Sequence, residues 1–187
     1  VTSNEIDKVF LDKALENAKV ENVELKITSL DWRKLDTEIP EKSFDAVILL
    51  GNSLTYLFNE KDQLETLRQF KRILRNGGVL IIDERNYQYI LDNREKILQG
   101  DFQYSGKYVY CGDKVHGKPV EISDSRVKME YTDERNGKKG YLILYPFKRG
   151  EIKNLLAKTG FASTEEFSDY KVVENHNADF YQYVCDK

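Results

Sequence analysis

The pattern of apolar and polar residues predicts strands and helices that alternate along most of the chain. Residues 44–50 form a largely apolar run that closes on Gly51, which is typical of a central parallel strand covered on both faces. Residues 23–28 alternate as a strand does, and apolar spacing indicates a helix over residues 7–18. The other predicted helices span residues 61–74, 87–98 and 148–159, and the other predicted strands span residues 79–83, 163–167 and 179–185. This order predicts an α/β fold with a parallel sheet.

Glycines mark the ends of two predicted helices. Asn76-Gly77-Gly78 follows the helix predicted over residues 61–74, and Gly160 follows the helix predicted over residues 148–159. Glycine adopts the left-handed backbone conformation without a steric cost, so it is favoured just after a helix. We therefore expect these glycines to end the two helices.

The rhythm changes in the middle of the chain, where residues 102–145 read as several short strands. Asn136-Gly137 is a hairpin turn signal between two of them. We predict an antiparallel insertion at residues 101–145 that lies over the sheet as a substrate lid. Residues 1–100 and 146–187 would then form the α/β core.

The beginning of the chain departs from the usual order of such folds. An open α/β sheet normally starts with a strand, a glycine-rich turn and a helix. Here residues 1–5 read as the end of a strand that leads into the first helix without such a turn. We therefore expect the sheet to be incomplete at the N-terminus, with a natural N-terminal part missing from this sequence.

Composition narrows the class of protein. The 187 residues suffice for one domain with a modest insertion. The 29 basic and 32 acidic side chains give a net charge of −3, which argues against a general nucleic-acid-binding protein. No apolar run approaches the roughly 20 residues that span a bilayer, and no signal peptide is visible. Cys111 and Cys185 lie far apart without a partner motif, so we expect a reducing cytoplasmic compartment.

The sequence lacks the motifs that several common kinds of enzyme need. His116 and His176 have no acidic or thiol companions at ligand spacing, so the sequence predicts no metal site. GxSxG and phosphate-binding loops are absent, which disfavours nucleophilic hydrolysis and phosphoryl transfer. A nicotinamide-dependent dehydrogenase is disfavoured because GxGxxG is absent.

Polar residues follow several predicted strands, and ligands of open parallel sheets bind at that edge. Glu5 can accept hydrogen bonds from the ribose hydroxyls of a nucleoside, or it can be an acid that starts the next helix. Asp31 can accept from an adenine amino group while Trp32 covers the ring. The alternative for this pair is a capped turn with a partly buried tryptophan.

Two further positions at this edge point to a carboxylate ligand. Gly51 lets a ligand approach the backbone closely and aims Asn52 into the cleft, although a simple turn is the alternative. Arg85 follows a buried strand, and its guanidinium can bind a carboxylate through two parallel hydrogen bonds. The structural alternative is a salt bridge from Arg85 to Asp83 or Glu84.

These segments resemble the glycine N-methyltransferase family, which includes the microbial glycine/sarcosine N-methyltransferases. Residues 44–48, running into Leu50-Gly51-Asn52-Ser53, are similar to the fourth strand of that family and its LGNS turn. Residues 81–91 are similar to its IDxRNYxxIL segment, and residues 1–18 resemble its second strand and following helix. The resemblance implies a Rossmann-like fold of class I S-adenosylmethionine-dependent methyltransferases.

The resemblance also implies roles for individual residues. The residues implied to bind S-adenosylmethionine are Glu5, Ile6, Asp31, Trp32, Leu50, Gly51 and Tyr56. Those implied to act on the substrate in catalysis are Asn52, Arg85 and Tyr131, of which Asn52 and Arg85 would hold an amino-acid carboxylate. The other residues implied to line the substrate pocket are Tyr87, Tyr110 and Tyr145.

The chain departs from the family pattern in several places. The glycine-rich loop of the first strand and the N-terminal tyrosines of the family are absent from this sequence. Tyr56 stands where mammalian relatives have histidine. Leu144 stands where mammalian relatives have tyrosine, and Tyr145 beside it can serve instead.

The function implied by this resemblance is N-methylation of glycine or sarcosine, as in betaine biosynthesis, by in-line transfer to the amine. The substrate is a small molecule, and the relatives suggest a homo-oligomer. One alternative is a methyltransferase for another small amine or carboxylate, which would depend on the insertion. Another is a non-catalytic binding domain with a methyltransferase-like fold.

Overall fold

A computed structural model describes residues 1–100 and 114–187. The strands are β1 (Thr2–Asn4), β2 (Lys26–Thr28), β3 (Phe44–Leu49), β4 (Leu74–Arg85), β5 (Val115–Ile122), β6 (Val127–Asp133), β7 (Lys139–Leu144), β8 (Ser163–Ser168) and β9 (Phe180–Asp186). The helices are α1 (Lys8–Val20), α2 (Glu60–Ile73), α3 (Tyr87–Asp92), α4 (Arg94–Leu98) and α5 (Glu151–Lys158), with 3-10 helices at Trp32–Thr37 and Ser53–Tyr56.

The described strands form three separate sheets. β1 and β2 pair in parallel, and β3 and β4 pair in parallel within a sheet of order β3-β4-β9-β8. The predicted α/β fold with parallel strand pairs is therefore confirmed, and β9 adds an antiparallel strand that pairs with both β4 and β8. β8 and β9 are joined by residues 169–179 without a crossover helix, and such a connection favours antiparallel pairing.

Helices α2 and α5 form the main apolar core together with the sheet β3-β4-β9-β8. The buried side chains include Leu67, Phe70, Leu80, Ile82 and Leu156. The α2 helix starts where the Asn59 side chain accepts a hydrogen bond from the Asp62 backbone N–H at 2.9 Å. Acidic residues occupy its first turn and basic residues its last turn, as the helix dipole favours.

Helix α1 forms as predicted, but its apolar residues are at most partly buried. None of its residues is buried, and the Val9 and Phe10 side chains are 74% and 67% exposed. Ile48 of β3 is also 60% exposed, although the run 44–50 predicted a strand covered on both faces. That expectation is wrong for the described residues, because β3 is an edge strand and the face that carries Ala46 and Ile48 is exposed.

A second apolar cluster joins α3 and α4 to the antiparallel sheet β5-β6-β7. Its buried residues are Tyr87, Ile90, Leu91, Ile97, Ile122, Val127, Met129 and Leu144, and Tyr131 packs against them. The hairpin between β6 and β7 turns at Gly137, whose φ of 67° confirms the turn predicted at Asn136-Gly137. The division at residues 101–145 and the role of this sheet as a lid stay predictions.

The glycines at 77 and 78 do not cap a helix, which corrects the prediction. Helix α2 ends at Ile73, and β4 starts at once at Leu74. Gly77, with φ 73°, lies in an irregular stretch of β4, where Phe44 pairs with Leu74 and Ala46 pairs with Val79. The prediction failed because the helix and the strand join directly. The turn-forming residues therefore lie inside β4, where this strand has more residues than the facing segment of β3.

Two other boundary predictions had different outcomes. Gly160 has φ 77° and follows α5, so the predicted helix stop is confirmed. The helix predicted over residues 87–98 is instead two short helices that meet at Asn93. In the described ranges, no helix combines the length and apolarity needed to cross a bilayer.

Candidate active site

The turn after β3 is held by a carboxylate from the neighbouring strand. Asp83 of β4 is 5% exposed. Its Oδ1 accepts from the Asn52 backbone N–H at 2.7 Å, and its Oδ2 accepts from the Gly51 backbone N–H at 3.1 Å. Both turn residues have left-handed backbones, with φ 76° at Gly51 and φ 61° at Asn52. The carboxylate therefore compensates two N–H groups that the strand ladder does not use.

The side chain of Asn52 is held by β4 and α3. Its Oδ1 accepts from the Arg85 backbone N–H at 3.2 Å, and its Nδ2 donates to the Tyr87 hydroxyl at 2.6 Å. Tyr87 is 1% exposed, so it contacts Asn52 from inside the second apolar cluster. The structure thus brings together three of the predicted site residues, and it gives Tyr87 a partner within the protein.

Arg85 lies at the end of β4 with its guanidinium over an aromatic ring. The guanidinium carbon is 4.7 Å from the ring centroid of Phe180, the residue opposite Arg85 in the β4–β9 pairing. A guanidinium over a ring face is stabilised by the charge distribution of the ring. A salt bridge from Arg85 to Asp83 or Glu84 was the alternative to carboxylate binding. Asp83 instead accepts hydrogen bonds from the turn, and Glu84 accepts one from Tyr183.

Glu5 follows β1 and does not itself cap the next helix. Asp7 is the cap of α1, because its Oδ1 accepts from the Val9 N–H at 2.8 Å and from the Phe10 N–H at 3.3 Å. Glu5 uses Oε1 to accept from the Asp7 N–H at 2.8 Å. Oε2 of Glu5 has no hydrogen-bond partner among the residues that the structure describes.

Asp31 and Trp32 adopt the arrangement of a capped turn. The Asp31 carboxylate accepts from the Arg33 backbone N–H at 2.9 Å and forms a salt bridge to the Arg33 guanidinium at 2.6 Å. Hydrogen bonding from Arg33 lowers the pKa of Asp31 to about 2. Trp32 packs edge-on against Phe70, with 6.3 Å between the ring centroids. The structure therefore matches the structural alternative for this pair, and its contact with adenine stays a prediction.

The other residues predicted to bind the cofactor lie in exposed positions at the strand ends. Ile6 is 64% exposed, and Leu50 and Tyr56 are each 49% exposed. Ile6 and Leu50 lie just after the parallel strands β1 and β3, where nucleosides bind in open α/β sheets, and Tyr56 lies in the 3-10 helix that follows β3. Glu5 offers a hydrogen-bond acceptor and this surface offers apolar contacts, which are the two kinds of contact that a nucleoside needs, and their role in cofactor binding stays a prediction. In the described part of the chain, the connection between β1 and α1 is Glu5-Ile6-Asp7 and contains no glycine.

The tyrosines predicted to line the substrate pocket have different surroundings. Tyr131 of β6 packs against the second apolar cluster, which also contains Tyr87. Its ring covers Gly117, where an added Cβ would lie 2.7 Å from Tyr131 Cε1. The Tyr145 hydroxyl donates to Glu151 at 2.5 Å, so the structure directs it toward α5 rather than toward Asn52. Tyr110 lies outside the described residues.

Two acidic residues were missed as candidates for functional roles. Asp83 and Glu84 entered the sequence analysis only as salt-bridge partners of Arg85. The signal that could have identified them is their position at the carboxyl end of an apolar strand, where an acid is buried against neighbouring strands. In the described ranges, no group of three or more metal-ligating side chains is assembled.

The sequence of this chain is similar to those of known methyltransferases. Residues 1–78 match the family described as a methyltransferase domain. The chain is 36% identical over 181 residues to the glycine/sarcosine N-methyltransferase of Aphanothece halophytica, covering 95% of this chain and 64% of that protein. It is 35% identical over 181 residues to the protein of the same name from Halorhodospira halochloris, covering 95% of this chain and 63% of that protein.

A solved structure shows the same fold. An S-adenosylmethionine-dependent methyltransferase from Clostridium acetobutylicum ATCC 824 superposes with a TM-score of 0.68 at 17% identity, covering 98% of this chain and 73% of that chain. The chain therefore has the fold of class I S-adenosylmethionine-dependent methyltransferases, as expected. Its sequence is similar to those of the two glycine/sarcosine N-methyltransferases named above. It spans less than two thirds of the length of the two relatives named above.

Proposed function

We propose that the protein transfers a methyl group from S-adenosylmethionine to the amine of glycine, of sarcosine or of both. The observation that carries this proposal is the contact of the Asn52 side chain with the backbone of Arg85, at a turn that starts with Leu50-Gly51. Sequence identity of 36% to a glycine/sarcosine N-methyltransferase supports the substrate class. Betaine biosynthesis is the process that this activity would serve.

Arg85 and Asn52 are proposed to bind the carboxylate of the amino acid. The Arg85 guanidinium would donate two parallel hydrogen bonds, which a carboxylate matches in geometry. Nδ2 of Asn52 carries two N–H groups, and among the described residues Tyr87 takes one of them. The other can donate to the same carboxylate. Binding at one end of the substrate would direct the amine at the other end toward the methyl donor.

The residues at the ends of β1 and β3 are proposed to hold the cofactor. Glu5 would accept from the ribose hydroxyls, and Leu50 and Gly51 would border the methionine portion. When bound, S-adenosylmethionine supplies a methyl group that is already activated on a sulfonium. The protein therefore has to position the amine, and orientation alone can contribute roughly 7–11 kcal/mol. We assign no general base, and solvent takes the proton.

Further observations bear on the kind of substrate, on the cellular compartment and on self-association. The near-balance of 29 basic and 32 acidic residues fits a small-molecule substrate better than nucleic acid. Cys185 is buried and unpaired, which fits the reducing cytoplasm. Self-association into a homo-oligomer is inferred by analogy with relatives.

A substrate panel on the full-length protein tests the proposal. Methyl transfer from S-adenosylmethionine would be followed with glycine, sarcosine and dimethylglycine, and with an unrelated amine as the control. We expect turnover with glycine or sarcosine. Turnover with the unrelated amine alone would identify another methyltransferase. Binding of S-adenosylhomocysteine without any turnover would identify a non-catalytic domain, and either result would overturn the proposal.

A further inference from the structure

We infer that Asp83 is a positioning residue for the proposed transfer, because its carboxylate holds the turn that presents Asn52 to the substrate. This inference rests on the proposed function and extends it to a residue that does not itself contact the substrate. Asp83 lies two residues before Arg85 in β4. Alternation along a strand places both side chains on the same face of the sheet, so the anchor of the turn and the proposed carboxylate ligand share one strand.

The two oxygens of Asp83 have separate tasks. Oδ1 accepts from the Asn52 N–H at 2.7 Å, and Oδ2 accepts from the Gly51 N–H at 3.1 Å. A carboxylate has two acceptor oxygens, whereas an asparagine in its place would present one oxygen and one NH₂ group. The NH₂ group would face a backbone N–H, and two donors cannot bond to each other. Asp83 therefore provides two acceptors for the two N–H groups of the turn, and asparagine, which has nearly the same shape, provides one.

The turn needs such an anchor because of its backbone. Gly51 and Asn52 have successive positive φ values of 76° and 61°. Left-handed conformations of residues other than glycine persist where surrounding contacts determine them. Besides Asp83, the Thr55 hydroxyl donates to the Asn52 carbonyl at 2.7 Å, and Thr55 is 1% exposed. The backbone of Asn52 is thus held from both sides.

The backbone and side chain of Asn52 are held by different residues. Asp83 and Thr55 contact its backbone, whereas the Arg85 N–H and the Tyr87 hydroxyl contact its side chain at 3.2 and 2.6 Å. If the backbone shifts, the side chain loses its place beside Arg85. Asp83 therefore acts on substrate binding through Asn52, without a contact of its own.

The test is Asp83→Asn in the full-length protein, with Asp45→Asn as the matched control. Asp45 lies on the neighbouring strand β3, and its exposed side chain pairs with Arg75. We expect Asp83→Asn to raise the KM for glycine by at least about tenfold, while the affinity for S-adenosylhomocysteine changes less than about twofold. Asp45→Asn should change neither quantity. An equal KM in Asp83→Asn and the wild type would overturn the inference.

A double-mutant cycle separates positioning from a general structural effect. If Asp83 acts through Asn52, Asp83→Asn should raise the glycine KM in an Asn52→Ala background by less than about twofold. Effects that multiply would show that Asp83 acts independently of Asn52 and would overturn the inference. If Asp83→Asn does not fold, Asp83→Ser replaces it in both measurements, because serine is small and polar.

Amide hydrogen exchange makes the inference testable without activity. In Asp83→Asn, the Gly51 and Asn52 amides should exchange at least about tenfold faster than in Asp45→Asn. Unchanged protection of these two amides would overturn the inference. A wild type that methylates neither glycine nor sarcosine would instead overturn the proposed function, and the exchange result would still decide whether Asp83 holds the turn.

Discussion

The Tyr183 hydroxyl donates a hydrogen bond to the buried carboxyl group of Glu84, with 3.0 Å between Tyr183 Oη and Glu84 Oε2. Glu84 is 5% exposed and Tyr183 is 3% exposed. The two residues lie on the paired strands β4 and β9. Burial raises the pKa of Glu84 well above its usual value, and the hydrogen bond from Tyr183 opposes that rise. Glu84 is therefore a buried acid that favours its neutral form.

The raised pKa of Glu84 predicts that Glu84→Gln stabilises the fold at neutral pH. A glutamate in the unfolded chain has a pKa of about 4.3. Above that pH and up to the raised folded pKa, the folded state binds more protons than the unfolded state, so the free energy of unfolding falls as pH rises. Glutamine keeps an acceptor for Tyr183 and does not titrate. Urea unfolding from pH 4 to pH 8 should show the variant gaining on the wild type by up to about 1.4 kcal/mol per pH unit.

The control for this experiment is Glu24→Gln, since Glu24 is exposed. Its free energy of unfolding should follow the wild type throughout the pH range. A Glu84→Gln variant that is less stable than the wild type at pH 7 would contradict the prediction, because it would mean that the charged carboxylate is favoured at this position.

Arg85→Ala is expected to weaken binding of the amino-acid substrate selectively. The guanidinium is the only cationic group that we assign to the substrate carboxylate, and its loss also leaves the Phe180 ring without its cation. We expect the glycine KM to rise by about 100-fold, which corresponds to about 2.7 kcal/mol. S-adenosylhomocysteine affinity, measured by calorimetry, should change less than about twofold.

Arg75→Ala is the matched control for that variant, because Arg75 lies on the same strand and its exposed side chain pairs with Asp45. It should leave the glycine KM unchanged. An Arg85→Ala protein with the glycine response of the wild type would show that another group binds the carboxylate.

The sequence predicted the position of the candidate site better than the contacts that fix the Gly51-Asn52 turn in place. The apolar run before Gly51 and the strand before Arg85 are local patterns, so both loops could be placed at one edge of a sheet. The contact of Asp83 with the turn depends on the pairing of β3 with β4, in which Leu49 lies opposite Ile82. Local patterns show which residues form each strand, but they do not show which residues of two separate strands lie opposite each other.

The buried acid shows a similar limit. Glu84 follows an apolar run and could have been a solvated residue at a strand end. Its burial comes from Tyr183, 99 residues later in the chain, and from the antiparallel strand β9 that carries Tyr183. Contacts between distant segments decide whether an acid at a strand end is exposed or buried, and no local pattern reports them.

Substitution of Asp31 separates two possible roles of its carboxylate, one in capping the turn and one in binding the cofactor. Its carboxylate caps the 3-10 helix and pairs with Arg33, so Asp31→Ala should lower the free energy of unfolding by about 0.5–2 kcal/mol. Because the pKa of Asp31 is lowered to about 2, this contribution is present at neutral pH and is lost as pH falls from about 4 through about 2. Chemical unfolding at pH 7 and pH 3 measures it.

Calorimetry with S-adenosylhomocysteine completes that experiment. If the turn is the whole role of Asp31, the affinity of Asp31→Ala should stay within about twofold of the wild type. A loss of about tenfold or more would show that the carboxylate also contacts the adenine.

Tyr131 has a glycine on each neighbouring strand, and the two glycines predict different outcomes. It pairs with Gly117 of β5 and with Gly140 of β7. An added Cβ at Gly117 would lie 2.7 Å from the Tyr131 ring, whereas at Gly140 it would meet nothing within 4 Å. Gly117→Ala should therefore displace the ring and cost about 1–3 kcal/mol of stability. It should also reduce kcat/KM for glycine if Tyr131 lines the substrate pocket.

Gly140→Ala is the matched control and should preserve both the stability and kcat/KM. Equal effects of the two substitutions in thermal unfolding and steady-state kinetics would show that the space over Gly117 does not set the position of Tyr131.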